Sequence, residues 1–233
     1  PKYNTQKEAM NFILSDLETA CELFSTAKDF DGDPILGGSI SKCKKATTAF
    51  QLKVLMHLSK KESDADLKVK ERFARIVASG SLMESNEDNL QMKYADKANT
   101  VYPFHNTNTK HAGYAMLSTM LIDKFKATGD IRMFYYAKPA KAKLNEGVTA
   151  DSWDAYIGTD PSLPFEQIEK AYATEQYSGF NARYTDYPSG EPVVRLGYAE
   201  QNFILAEAAV RGWISGDPSA YYKKAIRANM EFI

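Results

Sequence analysis

Residues 198–213 read YAEQNFILAEAAVRGW, and residues 221–226 read YYKKAI. The first stretch is apolar and rich in alanine, the strongest helix former, and it predicts a helix over Tyr198–Arg211. Gly212 and Gly216 follow, and glycines in this position mark the turn after a helix. The C-terminal part of the chain is thus expected to contain a helix that ends in a defined turn.

The segment after this turn has the form of a second helix start. Asp217 is a capping residue, and Pro218 occupies the first helical position, where its missing N–H leaves no hydrogen bond unmade. Small side chains let two such helices approach closely, so we predict an antiparallel helical hairpin. These side chains are Ala206, Ala208, Ala209 and Ala225.

The N-terminal segment predicts three further helices. Thr5-Gln6-Lys7-Glu8 has the form of a capping box, and the apolar spacing behind it extends to about Phe24. A second helix fits Lys42–Ser59, and a third fits Ala65–Ser79 with Gly80 in the closing position. Together with the hairpin, these elements predict a mainly α fold of tetratricopeptide-like antiparallel helix pairs, although no repeat of fixed period is present.

The middle of the chain predicts a long irregular loop region with a few short strands. Proline, glycine and aspartate interrupt it repeatedly, and long loops in compact domains are usually functional or mobile. The elements expected there are a strand at Leu90–Tyr94, a helix at Ala112–Ala127 ending at Gly129, a strand at Met133–Ala137, a loop at Lys138–Pro164 and a helix at Phe165–Thr174.

Composition argues against several classes of function. The chain has 233 residues with 29 basic and 30 acidic side chains, and this formal charge of −1 disfavours nucleic acid as a partner. No stretch approaches the roughly 20 apolar residues that a membrane-spanning helix needs. Because the chain begins at Pro1 and stops at Ile233 within a helical pattern, we expect a fragment whose targeting signals, if any, lie upstream.

No enzyme motif is present. Glu200 and Glu207 share one face of the predicted helix, as a glycosidase pair could, but Glu207 and Arg211 at i,i+4 favour an ion pair instead. The three histidines lack zinc-ligand spacing. We therefore predict no catalytic residue, no metal site and no cofactor.

Two groups of residues leave alternatives open. Asp29, Asp31 and Asp33 alternate as calcium ligands do, but the loop departs from the EF-hand pattern, and a solvated loop is favoured. Cys21 and Cys43 both fall within helical patterns. Two free thiols are favoured there, and one disulfide between neighbouring helices is the alternative.

Aromatic and polar side chains in the loops indicate binding rather than catalysis. Aromatic faces stack on the apolar faces of sugar rings, while asparagine and histidine hydrogen-bond the hydroxyl groups. The alternative for each ring is that it seals a loop against the core. If Trp153 is a binding ring, its replacement by alanine should weaken glycan binding with little loss of stability. The candidate glycan-binding residues are Tyr102, His105, Asn106, Asn108, Tyr135, Trp153 and Tyr156.

The C-terminal hairpin also carries a family resemblance. The stretches YAEQNFILAEAAVRGW and YYKKAI resemble motifs of the SusD/RagB family. Cys43 stands where that family often has tryptophan, and Ile131 replaces a proline, which are departures that alter packing details. The other segments that resemble family motifs, in the same order, are Thr5-Gln6, Gly32-Asp33-Pro34, Lys44–Ser59 and Leu121–Met133.

The resemblance implies a non-catalytic, glycan-capturing protein of the bacterial cell surface. Residues 1–233 would form a single SusD-like domain, and the N-terminal part with the signal peptide and lipid-anchored cysteine would be missing. The full-length protein would be lipid-anchored at the outer membrane and would pass oligosaccharide or polysaccharide to a SusC-like TonB-dependent transporter. The family's binding residues lie in variable loops, so the resemblance assigns no site residue.

Three other functions stay open at this point. The helix pairs could form a protein-interaction scaffold of the transporter complex without direct sugar binding. The ligand could instead be a peptide or glycopeptide. A glycoside hydrolase that uses Glu200 and Glu207 is the last alternative.

Overall fold

The computed structural model describes residues 3–107 and 115–232. Ten helices and one two-stranded sheet lie within these residues, so the expected mainly α class is confirmed. The helices are α1 (Gln6–Phe24), α2 (Ile40–His57), α3 (Val69–Ala78), α4 (Thr119–Thr128), α5 (Met133–Tyr136), α6 (Lys141–Asn145), α7 (Phe165–Ala173), α8 (Ala182–Thr185), α9 (Tyr198–Val210) and α10 (Pro218–Phe232). Strands β1 (Leu90–Met92) and β2 (Val193–Leu196) pair antiparallel.

The chain divides into two compact units. The helical unit comprises the residues up to Met92 and those from Val193 onward, and the central unit comprises Lys93–Pro192. Helices α1–α3, α9 and α10 and the small sheet belong to the helical unit, and α4–α8 belong to the central unit. Across the two stretches that the structure covers, no helix combines the length and apolar character that crossing a bilayer requires.

The helical unit is built from packed helix pairs, as the sequence predicts. Helix α1 packs on α2, α2 packs on α3 and α9, and α9 packs along α10 as the expected hairpin. Asp217 caps α10, because its Oδ1 accepts the N–H of Ser219 at 2.9 Å. The core that these helices share is apolar and nearly sealed from solvent. Its largest members are Leu14, Leu52, Leu55, Phe73, Leu205 and Trp213.

The predicted capping box at the start of α1 is confirmed. Thr5 Oγ1 accepts the N–H of Glu8 at 3.2 Å, and Glu8 Oε2 accepts the N–H of Thr5 at 2.7 Å. These bonds satisfy backbone donors that have no partner inside the helix. They also favour the charged carboxylate, so the backbone hydrogen bond from Thr5 lowers the pKa of Glu8.

Replacing Thr5 with alanine is expected to lower the free energy of unfolding by about 1 kcal/mol, because the cap bond to Glu8 is lost. Urea unfolding followed by far-UV circular dichroism measures the change. Thr19, exposed in the middle of α1, supplies the matched control. Thr19→Ala should leave stability unchanged or slightly raised, because alanine is the better helix former. Equal losses in the two variants would contradict the capping role.

Helix α3 begins four residues later than predicted. Asp64 Oδ1 accepts the N–H groups of Asp66 and Leu67 at 2.9 and 3.2 Å, which forms a turn before the helix. Lys68 then adopts a left-handed conformation with φ of 48°. The aspartate turn competes locally with helix formation, as side-chain to backbone bonds of this kind do.

The predicted strand at Met133–Ala137 is wrong, since Met133–Tyr136 forms the short helix α5. The cause is Asp130, whose carboxylate accepts the backbone N–H of Arg132 at 3.1 Å and also binds its guanidinium group. The N–H of Met133 then donates to the carbonyl of Asp130, also at 3.1 Å. These bonds form a turn that leads directly into α5.

The irregular middle contains more short elements than the sequence predicts. Residues 115–118, expected to be helical, are not, and α4 begins at Thr119 with Ser118 as its cap. The N–H of Leu117 instead donates to the carbonyl of Ser178 at 2.9 Å, a pairing distant in sequence. The region expected to be one loop, Lys138–Pro164, contains α6 and a 3-10 turn at Trp153–Ala155.

Candidate functional site

A row of aromatic rings crosses the central unit. The ring centroids of Tyr94 and Tyr102 are 5.1 Å apart, and those of Tyr102 and Phe104 are 5.7 Å apart. Phe104 then contacts Phe180 at 5.5 Å, and Phe180 contacts Tyr184 at 6.3 Å. All these separations lie in the range of favourable edge-to-face and tilted aromatic pairs.

This row borders a cavity of about 300 Å³, which we call the aromatic cleft. Phe104 and Phe180 also line a neighbouring cavity of about 60 Å³, which we call the polar recess. Shared walls place an apolar surface beside a polar one, the combination that small-molecule sites use for affinity and orientation. The aromatic cleft is lined by Tyr102, Phe104, Leu117, Leu121, Tyr136, Phe180 and Tyr184. The remaining walls of the polar recess are Asn106, Ala115, Lys138, Tyr177 and Thr185.

Backbone bonds between distant segments hold one wall of the site. The N–H of Tyr102 donates to the carbonyl of Pro188 at 2.7 Å, and the N–H of Asn106 donates to the carbonyl of Thr185 at 2.9 Å. Gly190 lies directly against the ring of Tyr102, because a Cβ added there would be 2.2 Å from Tyr102 Cγ. Its φ of +45° is also in the region that favours glycine. Gly190 therefore allows Tyr102 to take its place in the wall.

Hydrogen bonds position the polar side chains at the recess. Asn106 Nδ2 donates to Asp186 Oδ1 at 2.8 Å, and Thr185 Oγ1 donates to the same oxygen at 2.8 Å. Asn106 is exposed, so its amide borders solvent. An asparagine held in this way presents a directed hydrogen-bonding group to a ligand.

Tyr135 and Arg183 extend the site beyond the cavities. The guanidinium carbon of Arg183 lies 4.3 Å from the ring centroid of Tyr135 and 5.5 Å from that of Tyr184. Arg183 Nε donates to Glu191 Oε1 at 2.7 Å, which neutralises much of its charge. Tyr135 is 47% exposed and therefore offers an accessible aromatic face next to this ion pair.

The hydroxyl groups of Tyr102 and Tyr184 in the cleft are neutral. Burial raises the pKa of Tyr102 and also that of Tyr184, although the charge of Arg183 opposes the shift at Tyr184. A phenol with a raised pKa keeps its proton at neutral pH and can both donate and accept a hydrogen bond. The cleft thus provides apolar ring faces with neutral polar ends.

The structure brings together three of the residues predicted from sequence. Tyr102 lines the aromatic cleft, Asn106 lines the polar recess, and Tyr135 reaches the cleft residue Tyr184 through Arg183. Tyr102 is only 7% exposed, so it forms a wall and is not the free ring expected from its loop position. Its neighbour Phe104, which is 42% exposed, is the more accessible ring.

Tyr156 lies elsewhere, in the core of the central unit, and Trp153 is partly buried and packs against that core. The ring of Phe134 contacts both, at 4.9 Å from Trp153 and 5.2 Å from Tyr156. Tyr156 is 4% exposed, and its hydroxyl donates to the carbonyl of Ala150 at 3.0 Å. The expectation of freely exposed rings is therefore wrong here, because the 3-10 turn at Trp153–Ala155 folds the loop onto α5. Tyr156 also borders a more polar cavity of about 540 Å³ beside α4, in which it is the one aromatic lining residue.

Two other predicted residues add little to the described site. The Nδ1 atom of His105 is 2.8 Å from Thr107 Oγ1, a local contact two residues along the chain. His105 is partly buried and lines neither the cleft nor the recess. Asn108 lies outside the described residues.

Sequence reasoning missed most of the opposite wall. Phe180, Tyr184 and Lys138 are separated from the 102–106 segment by long stretches of chain, and their positions carry no periodic pattern. Asn106 and Asp186, for example, are 80 residues apart in sequence and only 2.8 Å apart in space. Phe104 was the one available signal, because it stands between two predicted site residues.

The carboxylates considered for catalysis are engaged in ion pairs. Glu207 lies 2.7 Å from Arg211, as predicted, and Glu200 lies 2.7 Å from Lys53. Paired in this way they form structural surface contacts. The glycosidase alternative therefore gains no support from the geometry.

The alternating aspartates also serve the backbone. Asp33 accepts N–H groups from Ile35, Leu36 and Gly38 at 2.9 to 3.2 Å, and these bonds lower its pKa, that from Ile35 most. Asp29 accepts the N–H of Ile40 at 2.8 Å. In the part of the chain that the structure covers, no group of three or more acidic, cysteine or histidine side chains is placed to hold a metal ion.

The second question that the sequence left open is whether Cys21 and Cys43 form a disulfide. Cys21 and Cys43 are both free, so the favoured assignment of two unpaired thiols is confirmed. Cys21 Sγ lies 3.8 Å from Thr48 Oγ1 and 3.8 Å from Gln51 Oε1, both on α2.

The whole chain, residues 1–233, matches the family described as SusD-like, starch-binding and associating with the outer membrane. The crystal structure of a SusD homologue from Bacteroides fragilis NCTC 9343 is 97% identical in sequence to this chain, and the two superpose with a TM-score of 0.89. The match covers 100% of this chain and 49% of the homologue. A protein from Bacteroides vulgatus ATCC 8482, whose description proposes an outer-membrane location and a part in nutrient binding, is 35% identical over 100% of this chain and 51% of its own, with a TM-score of 0.83.

A structure described as a chitin-binding protein is also similar, with 25% identity over 98% of this chain and 48% of its own, and a TM-score of 0.71. The chain therefore spans about half the length of these solved relatives. No protein of curated function matches it.

Proposed function

The chain belongs to the SusD-like family of starch-binding proteins that associate with the outer membrane, and from this premise we propose that its central unit binds an oligosaccharide in the aromatic cleft. The observation that supports this proposal is the pairing of an aromatic wall with a polar recess through Phe104 and Phe180. A sugar ring has an apolar face and a rim of hydroxyl groups, and the two cavities offer one surface for each.

Binding in such a cleft requires no bond of the saccharide to be made or broken. The ring of Phe104 would stack on an apolar sugar face, and Asn106 would hydrogen-bond a hydroxyl group. Both side chains are exposed, so water competes for these contacts and affinity stays modest. Modest affinity suits a protein that must release its ligand, and we therefore propose a binding protein rather than an enzyme.

The proposal also concerns how a full-length protein would deliver its bound ligand. The family description places its members at the outer membrane, and the solved relatives are about twice as long as this chain. We propose that the full-length protein is lipid-anchored at the bacterial cell surface. From there it would pass bound oligosaccharide to a SusC-like TonB-dependent transporter.

One feature of the helical unit favours a second candidate, a protein-interaction scaffold. An open groove of about 500 Å³ on α9 and α10 is lined by exposed apolar side chains, among them Phe203, Val210 and Tyr222. Exposed apolar surface of this kind often marks a protein contact. A chain that binds no saccharide or peptide but still binds the transporter would favour this candidate.

Replacing Phe104 with alanine is expected to weaken saccharide binding roughly five- to thirtyfold, the equivalent of about 1–2 kcal/mol for one stacked aromatic ring. Isothermal titration calorimetry measures the dissociation constants for soluble oligosaccharides derived from starch, from chitin and from other polysaccharides. Product analysis of the same samples for released reducing sugar tests the absence of catalysis.

Phe165, which is 63% exposed in the same unit and lines neither cavity, supplies the matched control. Phe165→Ala should bind as the unaltered chain does. Equal affinity in Phe104→Ala and the unaltered chain would contradict binding in the cleft. Failure of the unaltered chain to bind any saccharide would contradict the proposed function itself.

A further inference from the structure

Among the described residues that line the polar recess, one is of a charged type, Lys138. Resting on the proposed saccharide binding in the adjoining cleft, we infer that the recess receives an anionic substituent of the saccharide, a carboxylate or a sulfate ester. The ligand of this protein would then be an acidic glycan. The inference depends on where Lys138 lies, on its lack of a carboxylate partner among the described residues, and on the size of the recess.

Lys138 is placed by Gly179. The backbone N–H of Lys138 donates to the carbonyl of Gly179 at 3.0 Å. A Cβ added to Gly179 would lie 3.0 Å from Lys138 Cε and 3.3 Å from the carbonyl oxygen of Ala115, closer than ordinary contact. Gly179 does not have a left-handed φ, so its conformation does not require glycine. The missing side chain instead leaves room for the lysine stem to lie across the backbone at the recess.

Lys138 has no carboxylate partner within the described residues, unlike Lys141 and Lys143, which follow it in the chain. Among the residues that the structure describes, no carboxylate lies within 4.0 Å of Lys138 Nζ. In the same unit, Lys141 pairs with Glu175 at 2.5 Å, and Lys143 pairs with Glu146 at 2.6 Å. The recess therefore retains a lysine that no described carboxylate pairs, whereas Lys141 and Lys143 are paired.

The other described residues that line the recess are of uncharged types. Asn106, Thr185 and Tyr177 line it and are neutral. Burial raises the pKa of Tyr177, so its phenol keeps its proton and remains a donor. The nearby carboxylate of Asp186 already accepts hydrogen bonds from Asn106 and Thr185. An anion in the recess would meet a lysine and a phenol, and charge-assisted hydrogen bonds are stronger than neutral ones.

The size of the recess favours a substituent over a ring. Its volume of about 60 Å³ is a fifth of the 300 Å³ of the adjoining cleft. Such a space holds only a few water-sized groups. A carboxylate or sulfate attached to a sugar in the cleft fits this smaller space.

The test compares charged and neutral forms of the same saccharides. Oligogalacturonides are titrated against their methyl esters, and chondroitin sulfate oligosaccharides against their desulfated, carboxyl-reduced forms. Lys138→Gln should weaken binding of the charged form about five- to tenfold, the range of a partly solvated charge-assisted contact. Binding of the neutral form should change less than twofold. Chondroitin oligosaccharides that are desulfated but keep their carboxylates then show whether the carboxylate or the sulfate is recognised.

Lys97→Gln supplies the matched control, because Lys97 is exposed in the same unit and lines neither cavity. It removes the same charge and should leave both affinities unchanged. Gly179→Ala tests the placement of the lysine separately. The added methyl group should displace the Lys138 stem and weaken charged-ligand binding, and in the Lys138→Gln background it should cause no further loss.

The outcomes separate this inference from the proposed function. Suppose that saccharides bind and that Phe104→Ala weakens their binding, but charged and neutral forms bind alike and Lys138→Gln has no effect. The acidic-glycan inference is then overturned, and the cleft remains the binding site. If no saccharide of either kind binds the unaltered chain, both proposals are overturned. Charge preference that is lost in Lys138→Gln and kept in Lys97→Gln supports the inference.

Discussion

Replacing Phe73 with alanine is expected to lower the free energy of unfolding of the helical unit by about 3–5 kcal/mol, the usual range for a large aromatic side chain deleted from a core. Phe73 is fully buried in α3, and its ring contacts that of Trp213 edge-on at 5.4 Å. Trp213 is itself held by a hydrogen bond from its Nε1 to Glu62 at 2.8 Å, so it is poorly placed to fill the space left behind.

The measurement uses the two tryptophans of the chain, one in each unit. In a Trp153→Phe background, Trp213 is the remaining indole, and its fluorescence during urea unfolding reports on the helical unit alone. Phe12→Ala on α1 is the matched control, since Phe12 is 65% exposed, and exposed substitutions usually change stability by less than about 0.5 kcal/mol. A loss below about 1 kcal/mol for Phe73→Ala would contradict a rigid core at this position.

Replacing Trp153 with alanine is expected to destabilise the central unit by about 2–3 kcal/mol, somewhat less than the range for a fully buried ring. The indole is partly buried; it packs on Phe134 at 4.9 Å and against the core cluster around α4 and α5. Trp153 lines neither the cleft nor the recess. Saccharide affinity of the folded fraction should therefore stay unchanged, the reverse of what its loop position predicts.

Amide hydrogen exchange in α5 measures this loss within the central unit, because exchange reports the stability of individual segments. The N–H of Ala137, which donates to Met133 at 2.9 Å, is a suitable reporter. Trp153→Phe retains a packed ring and should lose much less protection. A fully stable Trp153→Ala variant with weakened saccharide binding would contradict this structural role and would support the indole as a binding ring.

The parts of the fold that sequence predicted correctly depend on contacts within a few residues. The capping box of Thr5 and Glu8, and the cap and proline of Asp217-Pro218, each place a helix end through local hydrogen bonds. Gly129 ends α4 with a φ of 61°, which glycine adopts without strain. Such signals are readable because both partners of the interaction stand close together in the chain.

The errors in the middle of the chain have two origins, one a contact distant in sequence and the other a local turn. Residues 115–118 are apolar enough to suggest a helix, but the pairing of Leu117 with Ser178 holds them in another conformation. Met133–Tyr136 is rich in aromatic residues, which favour strands, yet the turn built on Asp130 makes it helical. Local propensity is weak enough for either kind of contact to override it.

The sequence alone determined that this chain is mainly helical, that its ends form packed helix pairs, and that its family is SusD-like, because helix caps, apolar spacing and motif order are all local properties. Only the tertiary structure decided which aromatic rings border a cavity and which fill a core. Phe104 meets Phe180, and Trp153 meets Phe134, across chain segments that no periodicity connects. Whether a ring faces a ligand depends on what else packs against it, and that is a property of the folded chain.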